Sequence, residues 1–192
     1  LFNTPNYIYL IDPTGNYIGN FPVKFMAEAT NGLKVLDYEG NMDYRLLVAL
    51  SDNRVYNFDV NVKPINGWEK ISTVQRVITP VERLNLDGKD YLFITDENGT
   101  VTIVDKKGEP RIKLKKGFKK SKNSKFYINQ TNSKGAFIVT DIDGKLIYIA
   151  ENGKTDRTDF GDYTADHYFL YEDFSQDGSK DFIFLDQIRL SV

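Results

Sequence analysis

The chain has 192 residues, 41% of them hydrophobic and 14% aromatic, which suits one domain or one large piece of one and argues against disorder. With no Cys, disulfides, thiolate catalysis, zinc fingers and iron–sulfur clusters are excluded. A net charge of −2 points to neither nucleic acid nor a membrane surface, and no apolar run reaches the ~18 residues of a transmembrane segment.

Taken in chain order, the period is 2 rather than 3.6. Residues 7–11 and 17–25 read as strands, and Leu1-Phe2-Asn3 opens mid-pattern without Met, so the start reads as the last two strands of a repeat. Phe25-Met26-Ala27-Glu28-Ala29 is the only stretch with helical character and is too short to stand alone. Strands follow at 43–48 and 54–59, joined through Asp52-Asn53. The same phrase returns at 90–96 and 100–105 through Asn98-Gly99, and at 136–141 and 145–149 through Asp143-Gly144. The chain closes on strands at 169–173, 182–185 and 188–192. Asn98-Gly99, Asp143-Gly144 and Asn152-Gly153 predict hairpin turns of type I′, which need positive φ at both central residues.

The spacing is regular. Asp12, Asp59 and Asp105 lie 47 and 46 residues apart, and Gly99 and Gly144 lie 45 apart. Repeats of ~40–50 residues with four short antiparallel strands have the β-propeller period, whereas solenoids repeat faster and immunoglobulin-like sandwiches need about twice the length. The expectation is therefore an all-β propeller with blades of about 46 residues, running roughly over 1–32, 33–79, 80–125, 126–168 and 169–192. Four phases account for nearly the whole chain. Either the partial ends combine to close a four-bladed ring, or the chain is part of a larger propeller with open blade edges that favour a homodimer.

Three phrases carry a resemblance. Asp173-Phe174-Ser175-Gln176-Asp177-Gly178-Ser179-Lys180-Asp181 resembles the D-x-[DNS]-x-D-G-x-x-D loop of FG-GAP/VCBS-type blades, with degenerate versions at Glu39-Gly40-Asn41-Met42-Asp43 and Asp87-Gly88-Lys89-Asp90. Ile11-Asp12-Pro13-Thr14-Gly15 and Val104-Asp105-Lys106-Lys107-Gly108 resemble PQQ-like (quinoprotein-type) blades. With Gly19-Asn20-Phe21-Pro22-Val23 they also resemble the C-terminal repeats of uncharacterised bacterial cell-envelope proteins. The resemblance implies an extracytoplasmic place (periplasm, cell envelope or secreted) and Ca²⁺ held by Asp173, Ser175, Asp177 and Asp181, with no other cofactor. Six to eight oxygens suit Ca²⁺. Against this, the related loop at 85–90 is one residue short and 131–135 keeps no carboxylate. The other reading of 173–181 is an inter-strand turn whose Asp and Ser side chains bond backbone N–H groups.

Charge is segregated along the chain. Ten basic residues fall within 106–125 (Lys106, Lys107, Arg111, Lys113, Lys115, Lys116, Lys119, Lys120, Lys122 and Lys125) against Glu109 alone, while 141–186 holds twelve acids against four bases. The basic run reads either as a surface for acidic polymer, phosphate or anionic headgroups, or as a Lys-blunted edge strand followed by a solvated loop. Nucleic-acid binding would want interleaved aromatics, and only Phe118, Phe126 and Tyr127 lie near. His167 is the only His, so His-dependent catalysis must use it; among aromatics at the start of a strand it reads as a packed residue. Trp68, one repeat after Phe21, reads as inter-blade core.

These observations lead to a non-catalytic scaffold module of a bacterial envelope or secreted protein, binding a protein or glycan partner. The alternatives are a propeller lyase or glycosidase acting on polysaccharide, and a purely structural C-terminal module of a larger protein.

Overall fold

Short β-branched and aromatic runs bounded by Asp, Asn and Gly form antiparallel meanders in which consecutive strands are neighbours. The computed structural model describes every residue except Asn132 and Ile188, with Arg189 described by its backbone alone. The predicted 188–192 strand and the 131–135 loop therefore lie partly outside the described residues. Strands β1 (Phe2–Asn3), β2 (Tyr7–Tyr9) and β3 (Val23–Lys24) form one sheet, and β4 (Lys34–Asp37), β5 (Tyr44–Leu50) and β6 (Arg54–Phe58) the next. Two four-stranded sheets follow: β7 (Glu82–Leu86), β8 (Lys89–Thr95), β9 (Val101–Val104) and β10 (Pro110–Ile112), then β11 (Tyr127–Ile128), β12 (Phe137–Thr140), β13 (Leu146–Ile149) and β14 (Thr155–Thr158). The last sheet holds β15 (Tyr168–Glu172), β16 (Asp181–Asp186) and β17 (Arg189–Ser191).

The described residues thus form five sheets where the spacing predicts four phases. β1–β3 and β15–β17 are separate sheets instead of two parts of one blade. At the N-terminus the predicted strands shrink: 7–11 ends at Tyr9, and 17–25 keeps only Val23–Lys24 plus an isolated Ile11–Tyr17 bridge. Pro13 and Pro22 offer no N–H to a ladder, and Gly15 and Gly19 turn the chain with positive φ. The 25–29 stretch is not helical. Its Ala29 bridges Leu50, and its N–H donates to Pro5 O at 2.7 Å, because five residues cannot sustain a helical nucleus. The one helical element among the described residues is a 3-10 turn at Trp68–Lys70. No helix among them is long and apolar enough to cross a membrane.

The chain divides into two compact units, one of residues 1–81, 94–97 and 104–110, the other of 82–93, 98–103 and 111–192. In the first, Ile8, Phe25, Leu46, Val48, Leu50 and Phe58 make the core. In the second, the sheet β11–β14 is covered on both faces. Phe137, Val139, Ile147 and Ile149 pack toward Tyr91, Phe93 and Ile103, while Ile138, Leu146 and Tyr148 pack toward Phe169, Tyr171 and Phe184. That is why β12 and β13 read as unbroken apolar runs instead of alternating, as strands buried on both faces do.

The repeating Asp has a structural role. Asp105 Oδ1 accepts the N–H of Lys107 (2.8 Å) and of Glu109 (3.0 Å). Asp12 does the same for Thr14 and Asn16, both at 2.9 Å. Asp59 takes Asn61 and Lys63 at 2.8 and 2.9 Å, and Asp141 takes Asp143 and Lys145 at 3.0 and 2.9 Å. In each turn the residue three positions on adopts positive φ: Gly15, Val62, Gly108 and Gly144. These are longer hairpin loops ending on a left-handed residue, not two-residue type I′ turns. Asn98, Asp143 and Asn152 keep negative φ, whereas the unpredicted Asp87-Gly88 pair has φ of 50° and 74°, as a type I′ turn requires.

Candidate interaction cleft

The basic run and the start of the acidic run meet in the second unit. After β10 the chain passes against the β13–β14 turn so closely that a Cβ on Gly153, whose φ is 81°, would lie 2.0 Å from Lys113 O. Lys115 N–H donates to Gly153 O (2.9 Å) and Thr155 Oγ1 to Lys116 O (3.2 Å). Further on, Ile142 N–H donates to Lys119 O (2.9 Å) and Lys120 N–H to Gly99 O (2.8 Å). The segment is therefore tied at one end to the β13–β14 hairpin and at the other to the turns at Gly99 and Ile142. Between these ties opens a cleft of about 490 Å³. Phe118, Ile142 and Ile147 supply apolar lining; Lys116 and Lys119 come from the basic segment, and Asp141, Asp143, Asp156 and Arg157 from the β12–β14 hairpins.

The charges of the cleft are not equally available. Arg157 Nη2 lies 2.9 Å from Asp141 Oδ2 and 2.8 Å from Asp143 Oδ2. Asp141, with a side chain 7% exposed, also holds its own turn. Lys145 is engaged with Asp159 (2.8 Å) and donates to Gly161 O (3.0 Å). That contact holds the Lys145 ammonium above its usual range and the Asp159 carboxyl below. By contrast Lys113, Lys115, Lys116 and Lys119 are exposed, and no ion pair of theirs occurs among the described residues.

The remainder of the basic run sorts differently. Lys106 pairs with Glu39 and Lys122 with Asp166. Arg111 lies over the Tyr91 ring and donates to Asp90 O at 3.2 Å. Lys120 corrects the expectation of a wholly solvated run. It is buried, with Nζ donating to Ser121 O (3.1 Å) and Ser124 O, 3.6 Å from Glu82 Oε1 and over the Phe126 ring. Burial draws its ammonium below the usual lysine range. Burial likewise pushes Glu82 up, against the pull of Lys120 and of the Phe126 N–H that Glu82 accepts at 3.0 Å.

The residues of the predicted calcium loop lie in the exposed turn between β15 and β16, away from the cleft lining. Asp173 accepts the N–H groups of Asp177 (3.1 Å) and Gly178 (3.0 Å), and Asp177 that of Ser179 (2.8 Å). Asp181 accepts those of Phe174 (3.0 Å) and Ser175 (2.8 Å), which hold its carboxyl below the usual range. Among the described residues no three acidic or imidazole groups converge on a metal position.

His167 is fully buried. Nδ1 lies 2.6 Å from Thr164 O and Nε2 2.7 Å from Thr140 Oγ1, so Nδ1–H donates to the carbonyl and Nε2 accepts from the hydroxyl. Trp68 is buried and its Nε1–H donates to Lys106 O at 3.2 Å. Sequence reasoning missed the apolar floor and the Arg157 clamp. The clamp had one legible signal, the Asn152-Gly153 turn, which joins β13 to β14 in the register that places Arg157 opposite Ile147.

No family model and no curated protein matches the chain. Among solved structures, it is similar to BBS1N, a propeller-type domain, in a crystal structure with ARL6DN. The TM-score is 0.55 at 13% identity, over 94% of this chain and 56% of that one, so the chain spans little more than half that length. A second similar structure is a protein of unknown function from Bacteroides caccae, with TM-score 0.44, 15% identity, and coverage of 97% and 69%. The BBS1N similarity shows the fold: an all-β repeat of small antiparallel sheets.

Proposed function

We propose that the chain is a propeller-type, non-catalytic interaction module of an extracytoplasmic bacterial protein, with blades of the PQQ-like and FG-GAP/VCBS kind, and that the cleft beside residues 113–119 receives a protein partner. The observation that carries this reading is the pair of exposed cleft lysines, Lys116 and Lys119, with Lys113 and Lys115 preceding them on the same segment, none of the four in an ion pair among the described residues and the segment held by hydrogen bonds beside the cleft. Unneutralised charge on a rigid frame steers and orients a partner without any chemistry. The BBS1N structure is itself that of a complex, which supports the analogy at the level of fold. The engagement of both His167 nitrogens by neighbouring groups favours a structural role for that residue.

A photo-cross-linking amino acid placed at Ile142 tests the reading. Exposed to extract from the source organism, it should give one discrete protein adduct, lost when Lys116 and Lys119 are both changed to Glu. No adduct, adducts to glycan only, or cleavage of a polysaccharide panel by the purified chain would each overturn it. Pairing of two copies through the terminal sheets, where Leu170 and Leu190 are exposed, belongs to the same proposal; light scattering at one chain mass would remove it.

A further inference from the structure

The cleft combines two features that a simple charged surface lacks. One is a short array of lysines at 113, 115, 116 and 119, exposed and tied down by the bonds to Gly153, Thr155 and Ile142. The other is uncovered apolar surface between the charges: Ile142 is 39% exposed at the tip of its turn, and Phe118 is half-buried in the lining. On the far wall Arg157 bridges Asp141 and Asp143, and Asp141 also accepts two backbone N–H groups, which leaves Asp156 as the exposed acid of the lining that opposes the two lysines.

We infer that the cleft binds an acidic, extended peptide segment carrying one apolar side chain. This rests on the reading of the chain as a protein-interaction module and names the chemistry of its partner. Carboxylates of the segment lie against Lys116 and Lys119, and continue toward Lys115 and Lys113; the apolar side chain between them covers Phe118 and Ile142. An inorganic anion would engage the ammonium groups and leave the apolar floor wet, which gains nothing from the hydrophobic effect. A nucleic acid would need aromatic faces for stacking, and the lining supplies Phe118 alone. A desolvated apolar anchor inside a ring of charge is the arrangement in which charge sets orientation and the anchor sets residence time.

The test is fluorescence anisotropy of the full chain with a labelled decapeptide of Glu residues around a central Leu, at about 50 mM salt, where exposed charges are weakly screened. Saturable binding is expected. It should weaken roughly tenfold in the Lys116→Glu/Lys119→Glu double variant, and several-fold when the peptide Leu is replaced by Gly. Lys24→Glu, a single charge reversal elsewhere on the surface, should leave binding as it was. The double variant Lys116→Gln/Lys119→Gln, which removes charge without reversing it, covers the case in which the Glu pair fails to fold. Equal weakening by Lys24→Glu, indifference to the peptide Leu, or tighter binding of single-stranded DNA than of the peptide would each overturn the inference. An adduct at Ile142 with no peptide binding would overturn the acidic segment while leaving the interaction reading standing. Absence of both would remove the two together.

Discussion

A single carboxylate per repeat closes the turns at Asp12, Asp59 and Asp105, each accepting two backbone N–H groups that the hairpin cannot otherwise use. Ala150 stands at the corresponding place one repeat later, where the backbone bonds persist (Ala150 N–H to Lys154 O, 2.9 Å) and Asn152 Oδ1 takes the Lys154 N–H instead. Asp105→Ala should therefore cost about 1–2 kcal/mol in chemical denaturation, with Asp105→Asn recovering most of it, because the amide oxygen still accepts both donors. Val62 is the exception among the left-handed positions at φ 59°. The strain of ~1–2 kcal/mol for a side chain there is opposed by its packing against the first unit's core. At Lys120 the balance is different. Replacing a buried ammonium by Met leaves Glu82 in a poor environment without its counter-charge, so Lys120→Met should cost about 3 kcal/mol. Glu82 is held above its unfolded value near 4.3, so the stability linked to it is complete below that value and is lost as pH rises through the folded one. Without Lys120 that loss deepens. The variant should be weakest near neutral pH and partly recover on acidification, as read by urea midpoints across pH.

At the scale of elements, strand content and repeat length were legible because β-branched and aromatic runs recur with Asp and Gly at fixed spacing. Turn class was not. Asn-Gly and Asp-Gly pairs suggested two-residue turns at Gly99, Gly144 and Gly153, but only the glycine of each pair is left-handed. The backbone bond that closes each loop spans four residues, from Asp141 N–H to Lys145 O and from Ala150 N–H to Lys154 O, with or without a carboxylate at its start, and no local pair rule reports that. The 173–181 loop likewise carries a cation-loop pattern whose carboxylates are taken up by the loop's own N–H groups. Adding Ca²⁺ or a chelator should leave the melting temperature unchanged within about a degree, since an ion must bind the folded state to stabilise it. A calcium-dependent rise would show that the loop holds an ion. The cleft was the least legible element, because it needs residues 116–119, 141–143 and 155–157 in one place. Gly153 is what permits that approach. Gly153→Ala faces both a positive φ and a backbone oxygen at 2.0 Å, so it should destabilise by at least ~2 kcal/mol. It should also weaken peptide binding while leaving every lysine in place.

Across the whole molecule the acids outnumber the bases by only two, yet the acids are put to more local use. Asp12, Asp37, Asp159 and Asp181 all have carboxyls held below the usual aspartate range. The leading causes are the Thr14 hydroxyl for Asp12, the Met42 N–H for Asp37, Lys145 for Asp159 and the Ser175 N–H for Asp181. A carboxyl depressed in the folded state adds stability above its unfolded value near 3.9, and that stability is lost as pH falls through the folded value. Acid unfolding should thus set in below about pH 4, well under the isoelectric point near 5.5. Trp68, the only Trp and fully buried, reports the first unit by fluorescence, and Asp12 and Asp37 lie in that unit. The double variant Asp12→Asn/Asp37→Asn keeps amide acceptors but has no proton to gain. Its denaturant midpoint should fall below that of the parent at pH 7, and the gap should narrow as pH is lowered from 7 to about 3 and the parent's carboxylates begin to protonate. A gap of the same size at both ends of that range would mean that these turns are held by backbone bonds alone, and that acid stability is set by charge repulsion among the acids of residues 141–186.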